Sequence, residues 1–155
     1  MLLLALFAFL HFDGIIQDIF SYTTSHECEG GAFPLSSSFF NYTLLQLDQT
    51  TFKEGIQALR SFSFIKLGSS KGVYAIHPLI HAWGRDRMTL EDKKKHCLMA
   101  YAMLACSLKK DFKKQPKIKR ILVIHLRANM HHGAVAKKEK TNDYFDNAYE
   151  KFGNC

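Results

Sequence analysis

His77 is the residue of this sequence that is best placed to do chemistry. It follows the β-prone run Val73–Ile76 and directly precedes Pro78. A residue before proline favours extended backbone and proline favours the first helical position, so His77 should lie where a strand ends and a helix begins. A helix N-terminus offers unpaired N–H groups and partial positive charge, which suit an anion such as phosphate. An imidazole there could donate a hydrogen bond to a phosphate group.

The other reactive residues give no catalytic or metal site. His77 and His81 have the spacing of two zinc ligands, but position 78 is proline and not the glutamate of H-E-x-x-H, and no cysteine pair adds ligands. Cys97 and Cys106 fall in an apolar helical stripe, where a thiol is usually inert. We therefore predict no catalytic residue, no metal and no cofactor. The absence of any C-x-x-C pair indicates a reducing compartment, so we expect a cytoplasmic protein.

Hydrophobic spacing locates the elements that precede His77. Phe52, Ile56 and Leu59 lie at i, i+4 and i+7, which predicts a helix from about residue 51. The β-prone runs 62–67 and 73–76 flank a Gly/Ser-rich turn, which predicts a β-hairpin. Three helices, a hairpin and a further helix are the order of a winged-helix module.

The helix that begins at Pro78 is expected to turn its large apolar side chains inward. These are Leu79, Ile80 and Trp83. The full set of predicted core anchors is Leu4, Phe7, Leu10, Ile56, Leu59, Phe64, Ile76, Leu79 and Trp83.

The first twenty residues predict two helices. Residues 2–11 are almost entirely apolar and read as a buried helix, and Asp13 is expected to cap a second helix that includes Ile15 and Ile16. Residues 1–10 resemble the apolar part of a signal peptide but lack its basic start and its small-residue cleavage site. A bilayer span needs about 20 apolar residues, so we expect no membrane segment.

Two further helices are predicted in the second half. Thr89 and Asp92 fit a capping box ahead of an apolar stripe that includes Cys97. Another helix should begin after Pro116 and end near Gly133. His131 and His132 are expected to be exposed at that helix end, where a histidine can complement the helix dipole.

Composition and charge divide the chain into three parts. We predict a winged-helix domain at 1–88 with an irregular insertion at 22–45, a helical segment at 89–133, and a linker with a truncated helix at 134–155. Residues 1–92 hold six Lys/Arg and nine Asp/Glu, whereas residues 93–155 hold 15 and five. The basic character of the chain therefore belongs to its second half.

Four stretches resemble the winged-helix segment that follows the nucleotide-binding domain of fungal NLR-like proteins. These are signal-transducing STAND NTPases with an NB-ARC-type core, commonly followed by tetratricopeptide repeats. The stretches are LALFAFLHFDGI at 4–15, FKEGIQALRSFSFIK at 52–66, IHPLIHAWGRDR at 76–87 and LVIHLRANMHH at 122–132. The fold that the resemblance implies is mainly α, with a winged helix followed by a helical segment.

The resemblance also implies a role for His77. In that family a Met-His-Asp type motif lies in the winged helix, and its histidine contacts the β-phosphate of bound ADP in the closed, inactive state. The motif here reads Ile76-His77-Pro78, with proline in place of aspartate. The sequence holds no G-x-x-x-x-G-K-[ST] phosphate loop, so the chain is similar to a fragment that lacks its NTPase domain. The expected function is non-catalytic regulation in non-self recognition or cell-death signalling, with the NTPase domain and tetratricopeptide repeats as partners.

The alternative hypothesis is a winged helix that binds nucleic acid through the basic region 93–120. Its lysine clusters could meet phosphates. However, the candidate recognition helix 52–62 offers only Lys53 and Arg60 as cations, and the winged-helix half is net acidic. We therefore favour lysines on solvated helix faces and expect no nucleic-acid partner.

Overall fold

The computed structural model describes residues 2–21, 49–68, 70–109 and 116–138. Within them the elements are α1 (Leu2–Phe7), β1 (Ile15–Ile16), α2 (Asp18–Ser21), α3 (Gln49–Ser61), β2 (Ile65–Leu67), β3 (Val73–Ile76), α4 (Pro78–Asp86), α5 (Leu90–Lys109) and α6 (Pro116–Lys138). The fold is mainly α with one small sheet, as predicted. The predicted insertion at 22–45 and most of the segment 134–155 lie outside the described residues.

The sheet is centred on β3. It is antiparallel with the order β1-β3-β2, and Ile65 of β2 pairs with Ile76 of β3. The backbone N–H of His77 then donates to the Phe64 carbonyl at 3.0 Å and closes the end of the predicted hairpin. This sheet order, with the element order from α1 to β3, is the arrangement of a winged helix.

The strand β1 corrects the prediction of a helix capped by Asp13. Gly14 has a φ of +72°, and its N–H donates to Asp13 Oδ1 at 2.8 Å, so the chain turns there. Ile15 then pairs with Tyr74 of β3, and α2 begins only at Asp18. Two β-branched residues suit a strand, and pairing with β3 overrides the helical spacing.

The helix α1 lies at the centre of the core and is shorter than predicted. Residues 3–10 are all buried. After Phe7 the N–H groups of Phe9 and Leu10 bond carbonyls three residues back, each at 3.1 Å, which ends the α-helical pattern. The segment 8–14 therefore presents carbonyl groups that need partners from outside α1.

One hydrophobic core extends from α1 to α6. The predicted anchors Leu4, Phe7, Leu10, Ile56, Leu59 and Ile76 are buried, and Phe64 is partly buried against them. Helix α5 packs against α1, α2 and α6, and it adds Met103 and Leu104 to the same cluster, while α6 adds Leu122. Residues from 1–88 and from 89–133 thus share apolar contacts.

The prediction that Leu79 and Trp83 face inward was wrong. Leu79 is 73% exposed and Trp83 is 46% exposed. The buried residues of α4 are His81 and Gly84. A Cβ on Gly84 would lie 3.4 Å from the Cβ of Ala8, so the helix approaches α1 through its residue without a side chain.

The predicted N-cap at Thr89 is confirmed, although the Asp92 carboxylate bonds the Thr89 hydroxyl and not the backbone N–H of a full capping box. Thr89 Oγ1 accepts from the Asp92 N–H at 3.1 Å and donates to Asp92 Oδ2 at 2.8 Å. Helix α6 continues to Lys138, so the predicted end near Gly133 was wrong. Gly133 is buried within the helix, five residues before its end, where one glycine costs only about 1 kcal/mol relative to alanine.

Candidate functional site at the start of α4

His77 occupies the strand–helix junction that the sequence predicted. Its backbone is extended, with φ −61° and ψ 130°, and it is the N-cap of α4. The Leu79 N–H donates to the His77 Nδ1 at 3.3 Å, and Pro78 is the first residue of the helix. The extended backbone follows from the proline at the next position, and the ring supplies one of the acceptors that a helix start requires.

The capping contact determines which ring atom of His77 can donate. Because Nδ1 accepts from Leu79, the neutral imidazole carries its proton on Nε2. The His77 side chain is exposed, so Nε2 can meet a group from outside the chain. Nε2–H is a hydrogen-bond donor beside a helix N-terminus, which suits a phosphate oxygen.

An apolar surface adjoins His77. Leu79 and Trp83 lie one turn apart on the solvent side of α4, and the Arg87 guanidinium lies 4.6 Å from the centre of the Trp83 ring. We call His77, Leu79, Trp83 and Arg87 the outer face of α4. Phe62 is 66% exposed, and its ring lies 5.7 Å from that of Phe64, the residue that bonds the His77 N–H.

The chemistry available at the outer face of α4 is recognition of an anion beside an apolar surface. A lone imidazole offers one donor, and the neighbours Leu79 and Trp83 are apolar and provide neither a nucleophile nor a base. Among the described residues, no group of three or more His, Cys, Asp or Glu side chains is arranged to hold a metal ion. His77 and His81 do not face a common site, because His77 is exposed whereas His81 is buried with its Nε2 bonded to the Leu10 carbonyl at 2.9 Å.

The hairpin turn carries a motif match that the sequence reasoning overlooked. Gly68-Ser69-Ser70-Lys71-Gly72 fits the G-x-S-x-G pattern of a serine nucleophile elbow. Such an elbow requires a strand, a sharp turn and then a helix. Here the Gly68 N–H donates to the Val73 carbonyl at 2.8 Å, and a second strand follows instead of a helix, so the elbow is not formed.

A second polar cluster was also missed, and it lies where α4 and α6 meet the segment 8–14. Four side chains donate hydrogen bonds to backbone carbonyls of that segment. They are Arg85 to Ala8 at 2.8 Å, Asn129 to Phe9 at 3.2 Å, His81 to Leu10 at 2.9 Å and His125 to Gly14 at 2.9 Å. No sequence motif marks the cluster; the only signal is that polar residues interrupt the apolar stripes of both helices.

The histidines of this cluster have low pKa values. Burial, with the nearby charge of Arg85, lowers the pKa of His81 to about 4. Burial lowers the pKa of His125 to about 4. His132 was predicted to be exposed, but it is half-buried with its ring 6.2 Å from that of Phe9, and burial lowers its pKa to about 4.

The basic residues of the alternative hypothesis that the structure describes include two separate clusters, and residues 110–115 of that region lie outside the described ranges. Lys93, Lys94 and Lys95 are half-buried in the first turns of α5, whereas Lys117 and Arg120 are exposed at the start of α6. The Cys97 thiol donates to the Asn129 carbonyl at 3.7 Å. Because α5 ends at Lys109 and α6 begins at Pro116, so short a connection allows this contact only if the two helices run antiparallel. The two clusters therefore lie at opposite ends of the pair. At 1.5 Å per residue, about 20 Å separates them.

Comparisons with known proteins return no match, whether with protein-family models, with curated proteins or with solved structures. Within the described part of the chain, no helix has both the length and the apolar character needed to cross a bilayer.

Proposed function

We propose that this chain is a non-catalytic regulatory module that docks on a nucleotide-binding NTPase domain and senses ADP through His77. The observation that carries the proposal is the exposed His77 ring at the start of α4, whose Nδ1 bonds the Leu79 N–H, which leaves Nε2 as the donor. The resemblance to fungal NLR-like proteins supplies the identity of the partner domain. We place the module in a cytoplasmic switch protein of that kind, together with tetratricopeptide repeats.

The apolar residues beside His77 support docking. Leu79 and Trp83 are both exposed one turn apart on α4, and contiguous exposed apolar surface marks interaction sites. Trp and Arg are also enriched among the residues that carry most of the binding energy of interfaces. Docking of the outer face of α4 would bury Leu79 and Trp83 and would bring the His77 Nε2 against a bound diphosphate.

The proposed mechanism is a shift between two states. With ADP bound, the hydrogen bond from His77 stabilises the docked, closed state. Without the β-phosphate contact, the closed state loses a charge-assisted hydrogen bond of about 1.5–3 kcal/mol, and the population moves toward the open, oligomerising form.

Release of a fluorescent ADP analogue tests the proposal. An isolated nucleotide-binding domain from a fungal NLR-like protein is loaded with mant-ADP, and its release is followed by stopped-flow fluorescence with and without the chain. We expect the chain to slow release by about tenfold, equivalent to 1.4 kcal/mol. We expect His77→Ala to remove most of this effect, and Leu79→Ala or Trp83→Ala to weaken docking itself. Ile124→Ala changes an exposed apolar residue of α6 and is the matched control.

Two results would count against the proposal. If a saturating concentration of the wild-type chain leaves the rate of mant-ADP release unchanged, the docking function is refuted. If the His77→Ala variant slows release as much as the wild type does, docking stands but the sensor role of His77 is refuted. A parallel titration with duplex DNA at about 50 mM salt examines the nucleic-acid alternative, and salt-dependent binding there would favour it.

A further inference from the structure

The segment 8–14 is held by side chains from two helices that are distant in sequence. From α4, Arg85 and His81 donate to the carbonyls of Ala8 and Leu10. From α6, Asn129 and His125 donate to the carbonyls of Phe9 and Gly14. Because α1 ends at Phe7, these carbonyls lack partners within the helix, so the four side chains replace the missing bonds.

The ring of His125 is fixed in its neutral form by hydrogen bonds on both sides. The Gly14 carbonyl can only accept, so Nε2 carries the proton across the 2.9 Å contact. On the other side, the backbone N–H of His11 donates to Nδ1 at 3.0 Å. A second proton on Nδ1 would face this N–H, and the bond to His11 would have to break.

The ring of His81 is constrained in a similar way. Its Nε2 bonds the Leu10 carbonyl at 2.9 Å and therefore carries the proton. The Arg85 Nη1 lies 2.7 Å from its Nδ1. Arg85 is always charged and can only donate, so a second positive charge on His81 would be repelled at close range.

We propose that His81 and His125 form an acid-sensitive latch, which holds α4 and α6 on the segment 8–14 while both rings are neutral and opens when they take up protons. The latch does not use the His77 side chain, which caps α4 through the Leu79 N–H, so it can be tested separately from the nucleotide-sensing role of His77. Its opening would free α6 from the core and uncouple α4 from α1.

The charged surroundings of the latch favour the neutral rings. In the segment 8–14, the Gly14 carbonyl and Asp13 favour protonation of His125 and His11 opposes it, but burial outweighs them. Helix α4 contributes Arg85, with Asp86 acting on that guanidinium. Helix α6 contributes His132, whose ring lies 6.2 Å from that of His81, and His131 beside it. From α5, Cys97 reaches the Asn129 carbonyl.

The low pKa values of both rings agree with this geometry. Burial is the largest cause for each, so the folded chain resists protonation until the pH falls well below the ordinary histidine range. Uptake of protons must then be coupled to an opening that returns the rings to water.

Hydrogen exchange measured by mass spectrometry tests the latch on the whole chain. Between about pH 7 and pH 4.5, with rates corrected for intrinsic exchange, we expect peptides over 8–14 and 122–132 to lose protection by at least about tenfold. Peptides over α3 should change much less. In the double variant His81→Gln/His125→Gln, each amide can still donate to a carbonyl but cannot titrate, so the pH dependence should be largely lost. His96→Gln, whose ring nitrogen bonds the Asp92 carbonyl within α5, is the matched control.

Direct NMR titration of the wild-type imidazoles keeps the test independent of variant folding. Long-range ¹H–¹⁵N spectra should show the Nε2–H tautomer for His81 and His125 at neutral pH, with midpoints below about 5. Midpoints near 6.5, an Nδ1–H tautomer, or loss of protection that is equal in all peptides and persists in the double variant would each overturn the proposal.

Discussion

Gly84 of α4 lies directly against Ala8 at the end of α1, so close that a Cβ on Gly84 would sit 3.4 Å from the Ala8 Cβ. This contact sets the rotation of α4 about its own axis. With Gly84 and His81 turned toward α1, Leu79 and Trp83 must face solvent. Leu79 and Trp83 are therefore exposed because Gly84, which has no side chain, lets the other side of α4 pack closely on α1.

Substitution of Gly84 tests this packing. In Gly84→Ala, the added Cβ makes an ordinary contact with Ala8 and α4 gains helix propensity, so we expect the stability to change by less than about 1 kcal/mol. In Gly84→Val, the extra methyl groups have no room beside Leu4 and Ala8, and we expect a loss of about 1–3 kcal/mol. Urea denaturation gives both values, and equal midpoints for the two variants would show that α4 and α1 are not in close contact.

Removal of the Trp83 side chain should affect docking far more than folding. Because Trp83 is 46% exposed, we expect Trp83→Ala to cost less than about 1 kcal/mol of stability. Leu59 is fully buried, so Leu59→Ala should cost about 2–5 kcal/mol. Chemical denaturation of the two variants in parallel makes the comparison, and a loss for Trp83→Ala that matches Leu59→Ala would place the indole in the core.

The cap of α5 gives a local prediction. Thr89→Ala removes both hydrogen bonds to Asp92, and we expect it to cost about 1 kcal/mol. Thr89→Ser keeps the hydroxyl and should restore most of that stability. Equal denaturant midpoints for Thr89→Ala and Thr89→Ser would contradict the assignment of the Thr89 hydroxyl as the cap of α5.

Stability should fall as the solution is acidified from neutral pH. Above pH 6.5 the imidazole of His125 is neutral in the folded and the unfolded chain, so its contribution to the free energy of unfolding is fully present. Below pH 6.5 the unfolded chain takes up a proton that the folded chain excludes until about pH 4, so the folded state loses stability across this window. The loss for one such histidine is at most about 3 kcal/mol.

Urea titrations between pH 7 and pH 5 follow this loss before most carboxyl groups titrate. In His125→Gln the slope of stability against pH should be smaller than in the wild type. A wild-type midpoint that stays constant or rises on acidification would show that the buried histidines do not govern the acid response.

Sequence signals that act within a few residues predicted much of the fold. The spacing of Phe52, Ile56 and Leu59 gave α3, and each of these residues is buried. Pro78 gave the start of α4, and Thr89 gave the cap of α5. Each of these signals acts within a few residues along the chain, so the sequence carries it directly.

Long-range contacts decided the rest. Ile15 forms a strand because Tyr74, 59 positions away in the chain, offers a pairing partner. Trp83 is exposed because Gly84 packs on Ala8, a contact that hydrophobic spacing within α4 cannot show. His125 bonds the Gly14 carbonyl, which lies 111 positions away in the chain. For the site, the position of His77 was predictable, whereas its apolar surroundings were not.

A fluorine label on Trp83 tests the central claim most directly, because it is the single tryptophan of the chain. Incorporation of 5-fluorotryptophan gives one ¹⁹F resonance on the outer face of α4. We predict that this resonance shifts and broadens when the ADP-loaded nucleotide-binding domain is added, and that His77→Ala weakens the effect. A resonance that remains unchanged at saturating partner concentration would contradict the docking of this face on a nucleotide-carrying domain.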